Sequence, residues 1–356
     1  MSKVLFISNG HGEDLISLRI ISDYRSLNKD DQIYVLPMIG KGKVFKEQNL
    51  EIIGPQKETP SGGFVKNFVP LMKDLFSGLL FLHFKQIRNA SKNKYDLVVC
   101  VGDFLPLILS YLFIRYKKIV LVSTAKSDLF EPHFAIERWF FKKANANVFV
   151  RDSITADNLI ARGINASYVG NVMMDGFKVK RLPKNDKDKF IVGILPGSRL
   201  EAYSNYILIK QVIFCLPNDW NYKVAVAGNM DKSKFLIENS QVEIVDFEKL
   251  IKTADIVIGL AGTANEQVIG FGIPLFTFKG FGPQTTKKRF TDQKKLLGDL
   301  SVYIDSQDSE IISKVIKQKV KDVEFIQRVK VEGFNVMGKS GASLSIAKEL
   351  VAILKC

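Results

Sequence analysis

"ILPGSRLEAY", residues 194–203, decides the fold. It carries an apolar strand, Phe190 to Leu195, into Pro196-Gly197-Ser198-Arg199 and then into helical text. Directly before that strand comes "KVKRLPKNDKDK", residues 178–189, charged, nearly free of apolar residues and holding a proline. A polar stretch followed by a fresh strand, tight turn and helix is the start of a second domain. The chain has already made such a start once, where Val4-Leu5-Phe6-Ile7 runs into "SNGHGEDL".

Between the two starts lie the apolar runs Ile33 to Leu36, Leu97 to Val101, Ile119 to Val122 and Val148 to Val150. After the second come Lys223 to Ala227, Val242 to Val245, Ile256 to Leu260 and Pro274 to Phe278. Most of these runs show no polar alternation, which marks strands buried on both faces of a parallel sheet. Helical text separates them, so the reading is α/β: two doubly wound domains, residues 1–177 and 190–332, joined by a linker over 178–189. A C-terminal helical segment, 333–356, is expected to return to the first domain, and the two domains to face a cleft. Ligands of open α/β sheets sit beyond the carboxyl ends of the strands, so those loops are where chemistry is sought.

The chain has 356 residues, 46% hydrophobic and 25% charged, which suits two packed cores rather than disorder. Its formal net charge of +14 favours an anionic partner: a phosphorylated small molecule, an acidic membrane surface or nucleic acid. The basic residues are scattered and no nucleic-acid module is recognisable, which sets the last aside. Cys100, Cys215 and Cys356 are far apart and fit free thiols in a reducing compartment. Neither a signal-peptide core nor an apolar run of about 18 residues is present, so a cytoplasmic protein is expected. One stretch, Phe64 to Phe84, places Phe68, Leu71, Met72, Leu75, Phe76, Leu79 and Leu80 at helical spacing. Such a stripe is ordinarily core-facing; aromatic and wide as it is, it also suits a helix lying on an anionic membrane.

Each strand-end loop carries a chemical suggestion. In "SNGHGEDL", Gly10 and Gly12 permit close backbone approach, Glu13 and Asp14 complement a helix N-terminus, and His11 fits neither core nor cap. His11 is therefore a candidate general base or substrate donor. In "CVGDFLP", Asp103 at the end of a buried strand is either an N-cap or a catalytic carboxylate. Ser198 and Arg199 follow Gly197 at a helix start, an arrangement suited to phosphate or diphosphate. In "AGTANEQVIGFGIP", residues 261–274, Gly262-Thr263 repeat that anion turn, and a polar side chain one helical turn on, Glu266 or Gln267, suits a ribose diol. In "FKGFGPQTT", Gln284 suits sugar hydroxyls. Phe247, after the strand Val242 to Val245, is assigned to the same donor set. Successive phosphate- and hydroxyl-type loops in one domain read as a nucleotide-sugar site. "GFNVMGKS", residues 333–340, matches the P-loop expression by chance, because the text before it is charged and helical; a turn before a final helix, Ala342 to Leu354, is expected.

Taken in order, "SNGHGED", "VGDFLP", "STAKSD", "RDSITADNL", "VGNVMMDGF", "LPGSR", "AGTANEQ" and "GPQTT" resemble the GT-B glycosyltransferases, and most closely the lipid-A-disaccharide-synthase-related proteins. The resemblance implies two Rossmann-like domains, with a UDP-N-acetylglucosamine-like donor on the second and a lipid-linked or glycolipid acceptor on the first. It implies no metal or other cofactor, and work at the cytoplasmic membrane face. By position it implies Ser198 and Arg199 on the diphosphate, Gly262 and Thr263 lining it, and Gln284 on the donor sugar. Lipid A disaccharide synthase has a required Asp near the position of Asp103, whereas the peptidoglycan enzyme of the superfamily has a His in the first loop, as His11 is here. Gly10, Gly12, Glu13, Ser123 and Asn171 join the acceptor and loop set. The ribose-binding Glu of the family falls on Gln267, beside Glu266. Two other readings stand beside this one: a non-hydrolysing UDP-sugar epimerase, and a catalytically silent nucleotide-sugar-binding protein.

Overall fold

A computed structural model describes residues 1–57, 79–177, 189–227, 230–235, 242–338 and 340–355. The chain divides into two compact units, Met1–Asp175 with Ser340–Cys356, and Gly176–Lys339.

Unit 1 runs β1 (Lys3–Ser8), α1 (His11–Leu27), β2 (Gln32–Pro37), α2 (Lys43–Lys46), β3 (Glu51–Ile52), α3 (Leu79–Ala90), β4 (Lys94–Gly102), α4 (Leu105–Phe113), β5 (Arg115–Ser123), α5 (Ala135–Lys143), β6 (Asn147–Phe149), α6 (Ser153–Ile160) and β7 (Ala166–Ser167). Its sheet has the order β3-β2-β1-β4-β5-β6-β7 and every ladder is parallel. The unbroken apolar runs supply both faces. Leu5, Ile7, Val98, Cys100 and Leu121 point into one core, while Val4, Phe6, Val99, Val101 and Val122 point into the other. Each fully buried aliphatic side chain contributes about 1.5–3 kcal/mol.

Unit 2 repeats the plan with β8 (Ile191–Leu195), α7 (Glu201–Phe214), β9 (Asn221–Ala225), β10 (Val242–Val245), α8 (Phe247–Thr253), β11 (Ile256–Gly259), α9 (Thr263–Gly270), β12 (Leu275–Phe278), α10 (Lys287–Leu297), β13 (Ser301–Ile304), α11 (Ser309–Lys319) and α12 (Val323–Met337). Its strand order is β10-β9-β8-β11-β12-β13, again all parallel. In both units the order reverses beside the first strand. The switch points therefore lie between β1 and β4 and between β8 and β11, where open α/β sheets bind ligands.

The last helix, α13 (Ala342–Lys355), belongs to unit 1 and buries Ile346, Ala347 and Leu350 in the same core as Ile16 and Ile20 of α1. Asp175, where the first pass through unit 1 ends, accepts hydrogen bonds from the backbone N–H groups of Gly341 and Ser343 at the start of α13. The Ser343 hydroxyl donates to Asp23 of α1 at 2.5 Å.

Short edge strands were beyond the pattern reading: β3 and β7 have two residues each, and β13 is half-exposed along most of its length. "GFNVMGKS" holds no phosphate loop and is mostly not a turn. Gly333–Met337 close α12, and Gly333 allows a tight helix crossing, since a Cβ there would lie 2.0 Å from the Ile269 carbonyl oxygen of α9. Of the Phe64 to Phe84 stretch, residues 64–78 lie outside the described residues, as do 178–188 of the linker; the remainder of the stretch opens α3, with Phe81 and Phe84 exposed.

Candidate functional site

At the switch point of unit 2, β8 ends in Pro196-Gly197-Ser198-Arg199. Gly197 has φ +115°, a conformation that favours glycine, and it turns the chain into α7. The neighbouring strand β11 ends at Gly259, and Gly262 precedes α9. Neither Leu200 before α7 nor Gly262 before α9 makes a side-chain cap hydrogen bond. Helix starts of this kind are anion sites, because first-turn N–H groups and the helix dipole point the same way.

Asn205 of α7, 3% exposed, holds this edge together. Its Nδ2 donates to the carbonyls of Pro196 at 3.1 Å and Phe281 at 3.2 Å, and its Oδ1 accepts from the Phe281 N–H at 2.7 Å. Opposite stands Arg289 of α10, whose Nη2 donates to Glu266 Oε1 at 2.9 Å and whose Nε donates to Gln284 Oε1 at 3.1 Å. Gln284 in turn abuts Gly262, where a Cβ would lie 2.9 Å from its Oε1. The guanidinium thus joins the ribose candidate, the sugar candidate and the anion turn into one cluster. Glu266 is 2% exposed and its charge is matched inside this cluster; Gln267, 9% exposed, follows it on the same helix. Thr263 and Ser198 are exposed at the two turns, and Arg199 is half-buried. Phe247 opens α8 and packs edge-on against Phe177 at 5.6 Å.

Unit 1 builds its edge from different chemistry. His11 opens α1, exposed, with its ring against Gly40, where a Cβ would lie 2.4 Å from Cε1. Gly10 is the uncapped residue before that helix, Gly12 faces open space, and Glu13 turns inward. Burial pushes the Glu13 carboxyl above its ordinary value; its own backbone N–H opposes this, and the Asp103 charge adds to it. Thr124 donates to Glu13 at 3.4 Å. Asp14 behind it accepts from the Ser8 hydroxyl at 2.5 Å and is pushed up to about 7, chiefly by burial.

Of the two roles the sequence left open for Asp103, the capping one is seen directly. The Asp103 Oδ1 accepts from the Leu105 N–H at 2.9 Å at the start of α4, the bond of a capping carboxylate. Yet the group lies beside charged neighbours that a cap does not need. Burial raises it, the Leu105 N–H and Asn9 oppose, Glu137 raises it further and Lys126 lowers it. Ser123, the last residue of β5 and the register partner of Gly102, is 3% exposed, with its Oγ 3.4 Å from His133 Nε2. His133 Nδ1 lies 3.2 Å from Glu137 Oε2, and Glu137 Oε1 lies 2.8 Å from Lys126 Nζ. Asn171, 7% exposed, accepts from the Met173 N–H at 3.0 Å and lines a small cavity with Ser123, Thr124 and Arg151.

Pattern reading missed Arg289, Asn205, His133, Lys126 and Glu137. Arg289 is hidden in the charged run "KKR", and His133 and Glu137 sit in a loop and helix that carry no glycine signal. Being one of three histidines was the only cue to His133.

No protein-family model matches this chain, and no curated protein does. Solved structures match along its whole length. The calicheamicin glycosyltransferase CalG4 superposes with a TM-score of 0.63 at 15% identity, covering 100% of this chain and 98% of its own. MurG of Acinetobacter baumannii gives 0.60 at 12% identity, covering 99% and 100%. The fold is GT-B. The GT-B likeness also takes in UDP-GlcNAc 2-epimerase of Neisseria meningitidis bound to UDP-GlcNAc, at 0.54 and 11% identity over 98% and 100% of the two chains. GT-B chains thus include transferases and epimerases alike, so activity has to be argued from the two edges themselves.

Proposed function

We propose that the protein is a metal-independent glycosyltransferase that binds a UDP-linked, N-acetylglucosamine-like sugar on unit 2 and moves the sugar to a hydroxyl of a lipid-linked or glycolipid acceptor bound on unit 1. The observation that carries this reading is the switch point of unit 2. Two helix starts without side-chain caps, Arg199, and the Glu266–Arg289–Gln284 cluster together offer N–H groups and a cation for a diphosphate and acceptors for hydroxyls. In this mechanism the Asp103 carboxylate takes the proton of the acceptor hydroxyl. The oxygen bonds to the anomeric carbon, the bond to the diphosphate breaks, and UDP leaves with its electron pair. Helix N-termini and Arg199 offset the charge that develops on the departing diphosphate. His11, exposed at the rim, is assigned to holding the acceptor.

An apolar acceptor is supported by unit 1's surface, where Leu112 and Phe113 of α4 and Trp139 of α5 are about half exposed. No helix among the described residues is long and apolar enough to cross a membrane, so we assign peripheral contact with the inner face of the plasma membrane. Flotation with anionic vesicles tests that contact; protein that stays at the bottom of the gradient removes it.

The donor is tested first, by thermal shift against UDP-, GDP- and TDP-sugars. A ligand at a hundred times its Kd adds about 2.7 kcal/mol to the unit that binds it. No shift with any of them overturns the reading. One competing activity has its own support, since the clustered carboxylates Glu13, Asp14, Asp103 and Glu137 are the kind of groups a sugar-nucleotide epimerase uses. UDP-N-acetylglucosamine incubated with the protein alone separates the two, because an epimerase needs no acceptor.

A further inference from the structure

In unit 1, β1 lies between β2 and β4, and on each side a buried glycine stands where a side chain of the β1 loop needs room. On the β2 side it is Gly40, where a Cβ would lie 3.0 Å from Nδ1 and 3.4 Å from Nε2 of His11. On the β4 side it is Gly102, where a Cβ would lie 2.8 Å from Cγ of Asn9 and 3.2 Å from Cγ of Glu13. Carbon atoms in favourable contact sit about 3.5–4.0 Å apart, so the His11 ring and the Asn9 amide fill the places of two missing side chains. Both glycines also hold backbone conformations that favour glycine, with φ +83° at Gly40 and +129° at Gly102.

Both glycines are tied into the frame of the sheet. Gly102 pairs with Ser123 in the β4–β5 ladder, and its carbonyl accepts from the Thr124 N–H at 3.1 Å. The Gly40 N–H donates to the Lys57 carbonyl at 3.1 Å in an antiparallel bridge. Two residues earlier, the Met38 N–H donates to the Ser8 carbonyl at 2.8 Å and extends the β1–β2 ladder. The backbone is thus held, and the side chains of His11, exposed, and Asn9, half-buried, are the movable partners. Gly42 in the same loop makes the contrast: it has φ +58°, but a Cβ there would meet Pro37 at 2.8 Å and Ile52 at 3.1 Å. The two seats flank the strand that borders the switch point of unit 1, and Asp103 directly follows the second of them.

We propose that Gly40 and Gly102 are positioning residues that seat His11 and Asn9 at the acceptor edge of unit 1, and that Asn9 is a further acceptor-binding residue there. Each seat exists because its glycine has no side chain; an added methyl group turns the imidazole or the amide out of place while the sheet stays as it is. An asparagine amide both donates and accepts, which suits a sugar hydroxyl. The inference rests on the reading of unit 1 as the acceptor side, but its first experimental arm needs neither donor nor acceptor.

The full-length protein, labelled at the histidine ring nitrogens, gives NMR signals from three histidines, and His11→Ala identifies the first. Gly40→Ala is expected to shift the His11 signal and leave those of His83 and His133 in place. Gly42→Ala, whose methyl group would meet Pro37 and Ile52 instead, is expected to leave all three. An unmoved His11 signal in folded Gly40→Ala, or an equal shift in Gly42→Ala, overturns the proposal. If Gly40→Ala does not fold, the double variant with His11→Ala decides: vacating the ring's place should restore a folded protein, and a double variant that stays unfolded sinks the proposal. Likewise, denaturant unfolding should show Gly102→Ala costing less stability in an Asn9→Ala background than in the wild type, and an equal cost removes the second seat. Transfer from UDP-N-acetylglucosamine to octyl glucoside is the second arm. Gly40→Ala, His11→Ala and Asn9→Ala should each raise the KM for octyl glucoside about tenfold, with kcat within about twofold. A KM unmoved by Gly40→Ala although the ring has shifted overturns the positioning role, and one unmoved by Asn9→Ala overturns the binding role. Signals that shift as expected in a protein with no transfer activity leave the glycine seats standing and count against the glycosyltransferase reading instead.

Discussion

The first six strands of the two units follow one order and reverse at the same place, yet their carboxyl edges carry opposite kinds of chemistry. Unit 2 presents amides, a guanidinium and helix starts at Leu200 and Gly262 that make no side-chain cap bond. Unit 1 gathers carboxylates: Glu13, Asp14 and Asp103, all raised by burial, and Glu137 held ionised by its donors. Helices away from the switch points behave differently again. Asp152, Asp246, Asp308 and Asp322 each cap the helix that follows, the ordinary way to satisfy first-turn N–H groups. Those four helix starts are closed by a carboxylate, whereas the ones after Gly10, Leu200 and Gly262 are not, and under the proposed function one frame would serve two tasks: binding an anion and moving a proton.

The sharpest way to break this division of labour is Asp103→Asn. It is expected to lower the transfer rate by about 10²–10⁴-fold while leaving the donor Kd unchanged, as measured by rate assay and calorimetry side by side. Weakened donor binding in this variant would show that the edges do not divide the work. Next is the pH dependence of stability. Asp14 has a folded midpoint of about 7 against an ordinary 3.8, so between these values the folded state binds more protons than the unfolded one. Stability is then greatest below about pH 4 as far as this group is concerned, and falls by about 4 kcal/mol as pH rises to about 7. Denaturant titrations of Asp14→Asn should lose that slope. In unit 2, Arg289→Met removes the guanidinium that pairs with the Glu266 carboxylate, whose side chain is 3% exposed, and should destabilise the unit by about 3 kcal/mol. The same variant should weaken donor binding, with Glu266→Ala and Gln267→Ala showing by calorimetry which neighbour grips the nucleotide. The smallest effect is expected for Asp308→Ala, about 1 kcal/mol from a lost cap and no change in donor affinity.

Much of the architecture was legible because parallel strands buried on two faces leave unbroken apolar text, as Leu97 to Val101 and Ile256 to Leu260 do. The glycine-bearing loops were legible for a related reason: Gly197 and Gly262 mark places where backbone must approach closely. Partners set by tertiary placement left no such trace. Arg289 lies 23 residues from Glu266, and its pairing follows from how α10 packs beside α9. His133 and Lys126 serve Glu137 across a loop whose course no local periodicity records. Glu13 was read as a helix-dipole complement, and its burial against Asp103 could be known only once β1 and β4 were seen to be neighbours.

The return of α13 to unit 1 has a consequence for synthesis on the ribosome. Domains generally fold as they emerge, from the N-terminus onward. Here the first unit to be translated lacks the helix that covers Ile16 and Ile20, and its Asp175 has no N–H partners from Gly341 and Ser343 until all of unit 2 has been made. Unit 2 is the first to have its full set of elements, and unit 1 waits, partly uncovered, for its own last helix. A nascent chain arrested just before residue 340 should therefore be protease-resistant in its second half and cut readily in its first.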